Sequence, residues 1–171
     1  MAVLPIVKLG HPALRKRAEA IEELTPELKE FVKHMVETMR THEGIGLAAN
    51  QVNLLKRVFV IDLQLVDERQ DARAYINPRI LSRQGREVSE EGCLSIPDVR
   101  ADVERAAVIE VEYQDLDGAV VRETLDGLVA RVFQHELDHL DGILFIDRIS
   151  SVQRKLIEPQ LNKIREAHSI L

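Results

Sequence analysis

Tryptophan is absent from the 171-residue sequence, aromatic residues make up 4% of it, and cysteine occurs once. A core must then rest on Leu, Ile, Val and Ala, and the aromatic platforms on which single-stranded nucleic acids stack are missing. Positive charge is short as well. A net charge of −6 leaves no basic field for phosphate, so DNA is not an expected partner. The lone Cys93 cannot close an internal disulfide, which leaves a buried hydrophobe, a reactive thiol or a metal ligand. No Gly/Ser/Pro linker, repeat or low-complexity segment divides the chain, and its length suits one domain spanning 1–171. With 45% hydrophobic and 30% charged residues, the composition speaks against disorder and against a membrane span. The opening MAVLPIVKLGHPALRKRAEA is broken by Pro5 and Lys8 and has no basic segment ahead of a signal-like core, so a cytoplasmic location is expected.

What is present reads as two helical regions around a run of strands. After Thr25 as a cap and Pro26, the series Leu28, Phe31, Val32, Met35, Val36, Met39 predicts a helix to about Thr41. Gly44 and Gly46 stop it. RVFVIDL at 57–63 predicts a buried strand, with further strands at 73–83 and 86–92. Alternation over 107–113, a turn at Asp117-Gly118, and 119–125 predict a hairpin. Helical spacing returns with Leu128, Val129, Val132, Phe133, Leu137 and Leu140, between a candidate cap at Asp126 and a stop at Gly142. A last helix from about 150 to 168 carries Val152, Leu156, Leu161 and Ile164, and Pro159 is expected to kink or divide it. The class is α+β: small mixed or antiparallel sheets around a central helix, with a C-terminal helix.

The central helix carries His135-Glu136-Leu137-Asp138-His139. Histidines four apart project from one helix face and can reach one metal ion, with Glu136 beside them as a general base. Two imidazoles leave a catalytic metal one protein ligand short. A histidine three residues after Gly142 would complete one type of site, but Phe145 stands there. Glu158, downstream, would make a zinc endopeptidase. Cys93, in EEGCLSIP, is the remaining candidate.

Three segments, GIGLAANQ at 44–51, EGCLSIP at 91–97 and QHELDHLDG at 134–142, occur in the order found in peptide deformylases, which the sequence resembles. The likeness extends from Gly10-His11-Pro12 to ILFIDRIS at 143–150, and the C-terminal tail is similar to that of a bacterial branch. Asn50 departs from the proline or threonine more familiar there. The resemblance implies removal of the N-formyl group from N-formylmethionyl peptides of nascent chains. It implies Cys93, His135 and His139 as metal ligands, with Fe(II) as the ion and Zn, Ni or Co as substitutes. Glu136 would act as base and then acid, while the Gln51 amide and the Leu94 backbone N–H would stabilise the developing oxyanion. Ile45 and Gly46 would pair with substrate as an added strand, and Ile45, Leu128 and Val132 would line the side-chain pocket. Arg100, read as a loop residue, is expected to reach substrate carbonyls. A Glu91–Arg105 pair is expected to fix the Cys93 turn, and the C-terminal helix offers a ribosome contact. The alternatives are the endopeptidase using Glu158 and a catalytically silent peptide-binding relative. Against the silent relative stand the intact Gln51, Cys93 and Glu136.

Overall fold

Helix α1 (Pro26–Thr41) starts at the expected cap: Thr25 Oγ1 accepts a hydrogen bond from the Leu28 amide at 3.1 Å, and Pro26 fills a first-turn position that needs no donor. This computed structural model describes residues 2–168, so Met1 and 169–171, the ends of the expected single domain, lie outside it. Five strands form an antiparallel sheet in the order β1 (Gly46–Ala48), β2 (Val58–Asp62), β3 (Ala72–Gln84), β6 (Val108–Gln114) and β7 (Val120–Asp126). A separate antiparallel hairpin joins β4 (Glu87–Cys93) to β5 (Ile96–Arg105). Among the described residues no helix is long and apolar enough to cross a membrane.

Strand β2 is buried at every position, because the sheet is covered on both faces. Val58 and Val60 face Val32, Met35 and Met39 of α1. Phe59 and Ile61 face helix α2 (Gly127–Leu140) through Val132 and Phe133. The few aromatic residues are concentrated here. Phe133 meets Phe59 edge-on at 5.0 Å and Tyr75 at 5.5 Å, so the centre of a largely aliphatic core is aromatic. Asn77 and Pro78 sit where the β3–β6 register shifts, as a proline inside a strand requires, and the Asn77 amide bonds both backbone groups of Ile21.

Three sequence expectations change. Residues 96–105 form the long strand β5, which the sequence pattern does not predict, so Arg100 stands on a strand and not on a loop. Asp126 occupies the N-cap position of α2 but makes no side-chain capping bond, and Gly127 enters the helix at φ 57°. Helix α3 (Ser151–His168) runs through Pro159 without division. Its inward face is Ile157, Leu161 and Ile164, packed with the β5 residues Val99 and Val103, whereas Val152 and Leu156 are 66% and 74% exposed. Pro159 lies on the exposed side, where its ring meets solvent.

Gly142 does end α2. The Ile143 amide bonds the Asp138 carbonyl and the Gly142 amide bonds the His139 carbonyl, the paired bonds of a Schellman stop, with Gly142 at φ 75°. The Phe133 contacts give the first test of this architecture. Phe133→Ala is expected to lower stability by about 3–5 kcal/mol in urea unfolding. A loss below about 1 kcal/mol would show that the aromatic cluster does not anchor α2 to the sheet.

Candidate active site

One turn of α2 separates His135 from His139, and their rings lie 5.0 Å apart between centroids. Opposite them, the register of the β4–β5 hairpin shifts between Gly92 and Cys93, which turns the thiol toward the helix. The Cys93 Sγ lies 3.4 Å from His139 Nε2. Among the described residues, one ligand atom each from Cys93, His135 and His139 falls within 4.8 Å of the others. The 3-10 turn Ala49–Val52 brings in Gln51, whose Oε1 accepts from the Ala48 amide while its Nε2 donates to Cys93 Sγ at 3.4 Å and Ser95 Oγ at 3.1 Å. Gln51 is therefore aimed inward, as its place in the turn predicts.

Buried charges act in opposite directions on the two histidines. Glu91 Oε1 accepts from His135 Nδ1 at 2.9 Å, which leaves the other ring nitrogen free for the cluster. Burial opposes a charged Glu91, but hydrogen bonds from Arg105 and His135 outweigh it and hold the carboxyl far below its usual range. Burial likewise opposes an imidazolium at His135, yet Glu136, Cys93 and Glu91 raise its pKa to about 10. Burial, then His135, pushes His139 well below the usual value. Burial pushes Glu136 up to about 7. Buried Glu136 Oε1 and His139 Nδ1 have no hydrogen-bond partner. A cysteine sulfur, two imidazoles and an unpartnered carboxylate oxygen fit a divalent ion with reacting groups beside it.

The site opens into a cleft of about 550 Å³ whose walls include Ile45, Gly46, Leu94, Arg100, Leu128 and Val132. Leu128 is 51% exposed at the rim, whereas Val132 is buried. The side chain of Arg100 is mostly exposed and paired with Glu90 at 2.8 Å. Strand β1 is at the edge of its sheet, so the side not paired with β2 carries unpaired backbone groups at the cleft. Glu158 is held on α3 by Arg154 and Arg165, both at 3.0 Å, and is not a member of the cysteine–histidine cluster, so the Glu158 endopeptidase is not supported.

The family described as polypeptide deformylase matches residues 3–155. The chain belongs to the peptide deformylase family. A peptide deformylase of Acidobacterium capsulatum is 44% identical over 167 residues, covering 98% of each chain. The crystal structure of the peptide deformylase from Thermus thermophilus superposes with a TM-score of 0.89 at 38% identity, covering 97% of this chain and 99% of that one. The peptide deformylase from Synechococcus elongatus, solved in complex with actinonin, gives a TM-score of 0.84 at 42% identity over 96% of this chain and 86% of that one. Peptide deformylases are metal-dependent hydrolases, which agrees with the donor set just described.

Sequence reasoning finds the Glu91–Arg105 pair but misses its extension. Arg131 also donates to Glu91, at 2.6 Å, and Arg105 and Arg148 both hold Asp138, at 2.8 and 2.7 Å. The available signal was a lone arginine in the apolar run LVARVF at 128–133. Asn50, the departure from the usual deformylase pattern, is fully buried and donates to the Lys16 carbonyl at 2.9 Å, tying the Gln51 turn to the N-terminal segment.

Gly46 has a role the deformylase site cannot transfer to another residue. A Cβ there would lie 2.7 Å from Glu136 Oε2 and 2.8 Å from Val132 Cγ1. Gly46→Ala is expected to leave the fold intact by circular dichroism and to lower deformylation by roughly 10²-fold, because it displaces Glu136. Activity within about twofold of the parent would show that the carboxylate is not held by this approach.

Proposed function

We propose that the protein hydrolyses the N-formyl group from the N-terminal formylmethionine of nascent polypeptides, releasing formate. The observation that carries this reading is the gathering of Cys93, His135 and His139 beside buried Glu136, with Gln51 Nε2 pointed at the same centre. Cys93, His135 and His139 are the residues that would hold the ion. When bound, a divalent ion on one thiolate and two neutral imidazoles polarises a carbonyl and acidifies water. Fe(II) is the ion we assign, from the family resemblance, and zinc, nickel and cobalt suit the same donors.

The chain's own groups then do the following. Ile45, just ahead of β1, and Gly46, on its free edge, would pair with the substrate backbone, and Ile45, Leu128 and Val132 receive the methionine side chain. Arg100, at the rim, reaches toward the substrate carbonyls. Gln51 Nε2 and the Leu94 amide donate to the formyl oxygen as it gains negative charge. Glu136 takes a proton from the attacking water through its unpartnered Oε1 and passes it to the departing amine. The C–N bond of the formamide breaks, the water oxygen stays on carbon as formate, and the free amino terminus leaves. We further read 1–171 as one catalytic domain working in the cytoplasm. The exposed Val152 and Leu156 of α3 supply a face for contact with the ribosome.

Glu136→Ala is expected to retain metal while turnover falls by roughly 10²-fold or more, measured as formate released beside metal content. Near-parental turnover would remove Glu136 from the mechanism. A second measurement addresses the substrate. Acetyl-Met peptides are expected to be cleaved far more slowly than formyl-Met peptides, since the added methyl meets the crowded floor formed by Gly46, Leu94 and Glu136. Equal rates on the two would overturn the assignment to formyl groups.

A further inference from the structure

We propose that Arg131 is a positioning residue that fixes the separation of the two elements bearing the metal ligands, the β4–β5 hairpin with Cys93 and helix α2 with His135 and His139. The inference rests on the ligand set proposed above. Arg131 lies one turn before His135 on α2, and its side chain is 10% exposed. One guanidinium reaches three places on the hairpin. Its Nη1 donates to Glu91 Oε2 at 2.6 Å and to the Val103 carbonyl at 2.9 Å, and its Nη2 donates to the Glu87 carbonyl at 2.8 Å. Glu87 and Glu91 belong to β4 and Val103 to β5, so both strands are held from the helix. Glu91 stands two residues before Cys93 and also accepts from His135 Nδ1. A second tie, from Arg105 of β5 to Asp138, lies beyond His135 along the helix, at 2.8 Å. His135 is thus bracketed by two charged links between hairpin and helix.

Stability alone does not account for a charge at this position. It falls in an apolar helical run, where a buried hydrophobic side chain commonly does as well as a buried ion pair or better. What a hydrophobic residue cannot do is hold a carboxylate and two carbonyls at fixed distances. Lysine cannot do so either, because its ammonium is a compact point charge and not a planar fork. Arg131 is accordingly assigned to geometry, acting through Glu91 and the two strands.

The test uses the full chain loaded with cobalt(II), read by the thiolate-to-cobalt absorption band, by metal release to a chelator and by thermal unfolding. Arg131→Met is expected to release cobalt on the order of 10- to 100-fold faster and to shift the band. Arg131→Lys is expected to recover little of the loss. Combining Arg131→Met with Glu91→Gln is expected to cost less than the two single effects multiplied, because they act on one contact. Parental release and an unshifted band in Arg131→Met, with only a lower melting temperature, would overturn the positioning role. Full recovery with lysine would overturn it too, by showing that charge alone suffices. If Arg131→Met does not fold, parental release from Arg131→Lys has the same meaning. A parental band indifferent to Cys93→Ala would instead overturn the ligand set, and the positioning role with it.

Discussion

Glu91 gathers Arg105, Arg131 and His135 onto one buried carboxylate, and most of the site's geometry follows from that contact. Taking the acid and two guanidiniums out of water is costly, and each is tolerated only because the others complete its hydrogen bonds. Removing one partner from such a cluster typically costs about 3–5 kcal/mol, since the remaining charges stay buried without compensation. The cluster therefore behaves as a unit. It joins the hairpin that supplies Cys93 to the helix that supplies both histidines. The same carboxylate decides which nitrogen of His135 faces the cluster.

Glycine sets a second constraint on the centre. The chain from Gly44 to Gly46 runs so close to the opposite wall that a Cβ at Gly44 would meet Leu94 Cδ1 at 2.8 Å, and one at Gly46 would meet Glu136. Three sequence segments, far apart in the chain, thus meet in close contact along one wall of the cleft.

Much of this was legible in the sequence, for physical reasons that can be named. Helix α1, the β6–β7 hairpin and helix α2 each pair a clear apolar period with a cap, turn or stop residue, strand β2 is a buried run rich in β-branched residues, and each stands within a residue or two of its expected place. Strand β5 was hidden because alternate residues of DVRADVER that point inward include small Ala101 and charged Arg105. That one omission spread. Without β5, Arg100 reads as a loop residue, and the face of α3 follows from spacing alone, through Val152 and Leu156, when the partner strand selects Ile157, Leu161 and Ile164. The role of Arg131 is invisible in the sequence because its partners are 28 to 44 residues distant, and neither spacing nor propensity reports pairing at that range. The motif residues were legible because helix periodicity fixes the relation of His135 to His139 locally.

Strand β1 is three residues long and has only one partner strand. A short edge is a poor template for unwanted association between chains. Its few backbone groups, each contributing about 1 kcal/mol net, also limit how tightly any peptide laid along them is held. Backbone groups are common to every polypeptide whatever its side chains, so an edge of this kind discriminates little between sequences. Under the pairing proposed above, a weak hold and broad tolerance would both follow from this short edge, a combination suited to an enzyme that meets each new chain once and lets it go.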